Sequence, residues 1–182
     1  MGHRIAVLDH GVLQQVGAPQ DVYAKPANLF VARFIGSPPM NTVTGRIDRV
    51  DGQLVAQLPG RGIPVPDALA SEIASAGVDE VVIGVRPEDL RFDAHDGIPA
   101  SVSVVESLGH ERHVVCRLAD QQLVIVRQDA HELSPPEESA TFLVAEPSAL
   151  HVFDPESGTR IGASVSEPGI PASSERPMVE GS

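Results

Sequence analysis

The chain has 182 residues, of which 42% are hydrophobic and 3% aromatic, with no tryptophan. This length allows one domain with an aliphatic core, or a small domain with appended segments. The 13 lysines and arginines against 25 aspartates and glutamates give a net charge of −12, which argues against a general nucleic-acid binder and against adhesion to anionic lipid.

Residues 1–36 are predicted to form a hairpin followed by two short helices. The apolar runs IAVL and VLQQVG flank the turn sequence DHG, a pattern typical of a β-hairpin. Pro19 suits the first position of a helix, and Pro26 ends it. Asn28 can then cap a second helix, LFVARFI, and Gly36 suits the left-handed position that ends it.

Short β runs separated by turns begin after the Gly-Ser-Pro-Pro stretch. TVTGRIDRV and LVAQL around DGQ predict a hairpin, and RGIPVPDAL predicts an edge strand or loop because two prolines cannot serve a central strand. ALASEIASAG suits either a short helix or a loop. EVVIGV is the clearest buried strand, and RPEDL directly after it suits a single helical turn.

The second half continues as a β pattern. IPASVSVVES and ERHVVCRL flank the turn LGH, LVIVRQD follows ADQQ, and ATFLVA and ALHVFD are the last predicted strands. Many short strands with few helices indicate a small β-barrel or sandwich. Residues 162–182 are rich in Pro, Ser and Glu, and we expect them to be a disordered tail.

The sequence offers no constellation for catalysis, cofactor binding or metal binding. It contains no G-x-x-x-x-G-K-[ST] loop and no G-x-G-x-x-G that opens a helix. His110 and His113 are three apart beside a strand and therefore point to opposite faces. Cys116, the one cysteine, lies in mid-strand on the predicted buried side, where a thiol is usually inert. No transmembrane stretch or signal peptide is predicted.

Arg86 is the most distinctive polar residue of the predicted sheet. It directly follows the buried strand EVVIGV, so its guanidinium should emerge at the rim of the fold. It can form a local ion pair with Glu88 or Asp89, or it can contact a neighbouring domain or subunit. The two possibilities are compatible.

Four segments together resemble the ATPase subunits of carbohydrate-importing ABC transporters of the maltose, trehalose and glycerol-phosphate type. RIAVLDHGVLQQVGAPQDVYAKPANLFVARFIGSPPMN resembles the end of their nucleotide-binding domain. VIGVRPEDL, VVESLGHERHVV and ALHVFDPESG resemble three marks of the regulatory domain that follows. The resemblance covers about residues 1–160 in the order of the family.

This resemblance implies a mainly β fold with two parts. Residues 1–36 would be the C-terminal remnant of a truncated α/β nucleotide-binding domain, and 42–161 an OB-like, transport-associated regulatory β-barrel. The implied hinge, 37–41 with the preceding glycine, comprises Gly36, Ser37, Pro38, Met40 and Asn41. The implied regulatory or dimer contacts are Arg86, Pro87, Glu88, Glu106, Gly109 and Phe153.

The resemblance also implies a role in assembly. In the family this domain packs against its copy in a homodimer, holds two ATPases together and in some members receives a regulatory protein. The ATP- and Mg²⁺-binding motifs lie upstream in the family, as do the contacts to the transmembrane permease subunits. We therefore expect a truncated piece that neither binds nor hydrolyses ATP, located on the cytoplasmic face of the membrane through the transporter complex.

The truncation predicts a problem for residues 1–35, which would lack the sheet that their hairpin joins. The apolar helix face with Phe30, Phe34 and Ile35 should then pack on the barrel, pair with a second chain or lack order. Two alternative functions remain open. One is a barrel that binds a small oxyanion or sugar, and the other is a nucleic-acid-binding barrel, which the negative charge and the scarcity of aromatic residues disfavour.

Overall fold

The computed structural model describes residues 3–162, and within this range the chain is mainly β. The predicted hairpin is present as two strands, and an antiparallel β domain follows from Asn41 onward. The strands are β1 (Ile5–Asp9), β2 (Val12–Gly17), β3 (Asn41–Val50), β4 (Gln53–Leu58), β5 (Arg61–Pro64), β6 (Glu80–Val85), β7 (Arg91–Asp93), β8 (Ile98–Ser107), β9 (Glu111–Leu118), β10 (Leu123–Asp129), β11 (Ala140–Val144), β12 (His151–Phe153) and β13 (Arg160–Ile161).

Three α-helices lie within the described range: α1 (Pro19–Ala24), α2 (Leu29–Phe34) and α3 (Asp67–Ala76). The side chain of Asn28 accepts a hydrogen bond from the Val31 N–H and so caps α2, as predicted. Gly77 ends α3 in the left-handed conformation, with φ of 64°. The ambiguous ALASEIASAG segment is therefore a helix, and RGIPVPDAL supplies the edge strand β5 before it. None of the helices described is long and apolar enough to cross a bilayer.

Two sheets of antiparallel strands form the β domain. One has the order β10-β9-β8-β11-β7 and the other β13-β12-β6-β3-β4-β5. Both sheets contribute to one aliphatic core, in which Val43, Ile83, Val102, Cys116 and Val124 are buried together. The backbone ladders of the described residues do not close into a single barrel, so the predicted OB-like fold takes the form of two sheets that share a core.

The strand β6 is buried on both faces, which explains why its sequence, EVVIGV, is apolar at almost every position. Val81 and Ile83 lie in the core between the sheets, whereas Val82, on the opposite face, packs in a second cluster with Ala32 and Phe153. A strand buried on both faces loses the alternation of apolar and polar residues that marks a half-exposed strand. The second face of β6 is covered by the N-terminal segment, residues 3–36.

The N-terminal segment packs on the β domain, which is the first of the three outcomes expected for it. The Leu29 N–H donates to the Gly158 carbonyl at 2.9 Å, and the Arg160 N–H donates to the Ala27 carbonyl at 3.0 Å. The predicted aromatic face is only partly covered. Phe30 and Phe34 stack with ring centroids 5.5 Å apart, and Phe34 remains 63% exposed.

Three local features differ from the sequence-based expectation or lie beyond it. RPEDL forms a tight turn rather than a helical one, closed by a 3.0 Å hydrogen bond from the Asp89 N–H to the Arg86 carbonyl. The short strand β7 was not predicted, because three residues are too few for a periodic pattern. The tail predicted for 162–182 lies outside the described residues except for its first residue.

The buried position of Cys116 predicts slow thiol chemistry. The residue is fully buried on β9, and burial raises the pKa of its thiol to about 11. Because the thiolate is the reactive form, we expect a soluble thiol reagent to modify the native chain at least about a hundredfold more slowly than the unfolded chain. Rapid labelling of the folded protein at neutral pH, measured by mass spectrometry, would contradict this burial.

Candidate functional site

Arg86 joins the β domain to the N-terminal segment. Its side chain is buried, with a residue exposure of 2%. Nη1 donates to the carbonyl oxygens of Ile35 at 2.6 Å and Ala32 at 3.2 Å, and Nη2 donates to the carbonyl oxygen of Tyr23 at 2.6 Å. One guanidinium group therefore holds both helices of the N-terminal segment.

These acceptors share one physical feature, because all three lie at the C-terminal ends of short helices. Tyr23 belongs to the last turn of α1, whereas Ala32 and Ile35 belong to the end of α2. Carbonyl groups in the last turn lack intrahelical partners and carry partial negative charge, which a cation stabilises. The planar guanidinium can serve several such acceptors at once, which a lysine ammonium at this position could not do as well.

Tyr23 adds a second contact between the two parts of the chain. The Arg86 guanidinium carbon lies 3.9 Å from the centroid of the Tyr23 ring, a cation–π geometry. The Tyr23 hydroxyl donates to Oε1 of Glu88, which lies within the turn closed by Asp89 and Arg86. Burial, together with this hydrogen bond, raises the pKa of Tyr23 to about 12, so the hydroxyl keeps its proton at neutral pH.

From Glu88, a row of neighbouring ionisable side chains runs across the strands β10 and β9. Oε2 of Glu88 lies 3.8 Å from Nη2 of Arg127, and Nε of Arg127 lies 3.9 Å from Oε2 of Glu111. Oε1 of Glu111 in turn lies 3.0 Å from Nε2 of His113. Burial lowers the pKa of Arg86, and the neighbouring Tyr23 and Glu88 oppose that shift. Among residues 3–162, Arg86 forms no ion pair with Glu88 or Asp89, so the local ion pair expected for it is not made, and Glu88 pairs with Arg127 instead.

The segment that links the two parts is fixed at both ends. Gly36 has φ of 122°, and a Cβ atom there would lie 3.1 Å from Nη1 of Arg86. Only glycine combines this backbone conformation with so close an approach. At the other end, the Asn41 side chain donates to the Ile125 carbonyl at 2.8 Å and accepts from the Ile125 N–H at 2.7 Å. Asn41 thereby bridges β3 to the edge strand β10.

The remaining residues singled out in the sequence lie in three environments. Met40 and Phe153 are buried in the cluster between the N-terminal segment and β6. Pro38 and Pro87 are also buried, whereas Ser37 is exposed. Glu106, near the end of β8, and Gly109, in the β8–β9 turn, are both exposed.

Sequence reasoning named Arg86 but not its partners. Tyr23 is 63 residues away and Ile125 is 84 residues from Asn41, so no local pattern could pair them. The guanidinium was expected to emerge at the rim of the fold, whereas the structure buries it, and a buried guanidinium needs hydrogen-bond acceptors. The described range also contains no metal-binding cluster, because no three histidine, cysteine, aspartate or glutamate side chains in it lie close enough together to hold a metal ion.

Two protein-family models together match nearly all of the β domain. Residues 36–90 match the model of the MalK OB fold domain, and residues 83–153 match the model of the TOBE domain. The two matches overlap at the turn that contains Arg86 and Glu88. The Arg86 junction therefore lies where the two domain models meet.

Curated relatives extend the similarity into the N-terminal segment. An uncharacterized ABC transporter ATP-binding protein of Sinorhizobium fredii is 35% identical over 161 residues, covering 88% of this chain and 42% of the relative. The sn-glycerol-3-phosphate import ATP-binding protein of Escherichia coli is 36% identical over 163 residues, covering 88% and 44%. The chain spans less than half the length of these relatives.

One solved structure also matches part of the chain. The match to the cytoplasmic molybdate-binding protein ModG, with molybdate bound, covers 62% of this chain and 94% of that chain, at 14% identity and a TM-score of 0.46. A likeness at this level carries no functional argument.

Proposed function

Because this chain carries a MalK OB fold domain and a TOBE domain and is homologous to the C-terminal region of ABC transporter ATP-binding subunits, we propose that it forms the regulatory and dimerising part of such a subunit. The transporter would import a sugar or a related solute such as a glycerol phosphate. The observation that carries the proposal is the alignment over 88% of the chain with ATP-binding subunits, one of them a glycerol-3-phosphate importer.

The division of the chain follows from this role. Residues 1–36 would belong to the nucleotide-binding domain, 37–41 would be the hinge and 42–161 the regulatory domain. Bending at the hinge would have to break the hydrogen bonds from Arg86 to Ile35 and Tyr23, because both ends of the linking segment are fixed. The regulatory domain would therefore transmit its position to the nucleotide-binding domain through this contact.

The proposed assembly has further members. In the full-length subunit, ATP and Mg²⁺ would bind to the nucleotide-binding domain, which would also contact the transmembrane permease subunits at the cytoplasmic face of the membrane. The regulatory domain would contact its own copy, and a regulatory protein could bind there as well. Two ATPase units held by such a contact have a raised effective concentration for each other.

Two measurements on the purified chain test the proposal. We expect sedimentation velocity to show a concentration-dependent dimer, and we expect labelled ATP with Mg²⁺ to show no saturable retention. A chain that stays monomeric at all concentrations would contradict the dimerising role. Magnesium-dependent ATP turnover would contradict the assignment of this chain to the regulatory part. Saturable heat on titration with molybdate, sulfate, phosphate or a disaccharide would instead favour a small-ligand-binding domain.

A further inference from the structure

We propose that a second copy of this chain docks on the outer face of the five-stranded sheet, across β8, β9 and β10. This inference rests on the proposed dimerising function and names the surface that would carry it. The surface consists of an apolar row that crosses three strands and of two opposite charges that flank the row.

The apolar row follows from the strand register. Val104 on β8 lies opposite Val115 on β9, and Val115 lies opposite Ile125 on β10. The neighbours Val114 and Cys116 are buried in the core, so alternation directs the side chain of Val115 to the outer face. Val104 is 43% exposed on this face. Three β-branched residues in one cross-strand row form a continuous apolar stripe rather than scattered surface residues.

Two charges of opposite sign lie on either side of the stripe. Arg117 follows Val115 by two residues, and Glu106 follows Val104 by two residues. Because β8 and β9 are antiparallel, these two residues lie on opposite sides of the row. Both are exposed, and neither forms an ion pair with another residue of the range 3–162.

This arrangement is complementary to itself. A rotation of 180° about an axis that runs along the stripe places the stripe of one copy on that of the other. The same rotation reverses the strand direction and brings Arg117 of each copy to the side that carries Glu106 of the other. A two-fold contact requires the same surface on both partners, and here one surface supplies both the apolar centre and both charges. The charge pattern therefore favours a second copy as the occupant.

Charge reversal separates this pairing from the general repulsion between two acidic chains. Glu106→Arg makes the chain less negative and should strengthen association if net charge governs it. We expect the opposite, a dimer dissociation constant raised about tenfold by sedimentation velocity, because the substituted arginine would face Arg117. Arg117→Glu should weaken the dimer similarly. The double variant restores the pair with unchanged net charge and should return to within about threefold of the wild type.

The apolar stripe is tested by a matched pair of valines. Val104 and Val50 are 43% and 46% exposed on strands of different sheets. Val104→Lys should weaken the dimer about tenfold or more, whereas Val50→Lys should leave it unchanged. Circular dichroism melting of each variant shows whether the fold is retained.

The outcomes distinguish this surface from the function on which it depends. If the wild-type chain dimerises and both Glu106→Arg and Val104→Lys leave its dissociation constant unchanged, this surface is wrong and dimerisation stands. Failure of the double variant to recover also overturns the surface. If the wild-type chain is monomeric, the proposed dimerising function and this inference both fail.

Discussion

Replacing Arg86 with methionine is expected to lower the free energy of unfolding by about 3–5 kcal/mol, because three hydrogen bonds from a charged donor are lost and their acceptors are left unpaired. Methionine keeps much of the side-chain length but donates no hydrogen bond. The carbonyl groups of Tyr23, Ala32 and Ile35 would lose the donor that now lies 2.6–3.2 Å away. Urea unfolding followed by circular dichroism measures the loss, and Arg86→Lys should retain part of the stability because it keeps the charge.

A second measurement, limited proteolysis, tests whether the stability is lost at the contact between Arg86 and the N-terminal segment. Tryptic cleavage after Arg33 should become faster in Arg86→Met, because the N-terminal segment would open more often. Arg49→Met is the matched control, since Arg49 is exposed and donates to one carbonyl, that of Gly52. That change should cost less than about 0.5 kcal/mol. An Arg86→Met chain within about 1 kcal/mol of the wild type would show that the guanidinium does not stabilise the contact.

The junction also shows how far the sequence predicts this structure. The hairpin, the capped helix α2 and the alternating strands β8 and β9 each depend on neighbours within a few residues, and each was predicted. The EVVIGV strand was recognised as buried because all of its residues are apolar or small. Its second covering layer could not be identified, since Ala32 and Phe153 reach it from distant parts of the chain.

Prediction was weaker where the contacts are long-range and polar. Arg86 was expected to pair with Glu88 or Asp89, or to contact a neighbouring domain or subunit. The structure shows a contact with the N-terminal segment instead of the ion pair, and its acceptors, which are main-chain carbonyl groups, were not predicted. The family resemblance implied that Asn41 belongs to a hinge, whereas its side-chain amide bonds both main-chain groups of Ile125. Composition indicates where a chain turns, but it does not reveal which distant backbone group a buried amide will bind.

Truncation of Phe153 is the second change with a large expected effect. Phe153 is fully buried on β12 and packs with Ala32, Met40 and Val82. A Cβ atom at Gly84 would lie 2.9 Å from its ring, which indicates how tightly the ring fits against β6. Phe153→Ala should therefore cost about 3–5 kcal/mol, whereas Phe34→Ala, the same change at a 63% exposed site, should cost about 1 kcal/mol or less.

The coupling between the two changes tests whether the junction opens as one unit. Phe153 and Arg86 hold the same N-terminal segment, one by apolar packing and the other by hydrogen bonds. If Arg86→Met already releases that segment, Ala32 no longer covers Phe153, and Phe153→Ala should cost about 1–2 kcal/mol less in that background than in the wild type. Additive losses in urea unfolding would mean that the packing of Phe153 persists after the Arg86 contact is lost. The N-terminal segment would then be held by two independent contacts.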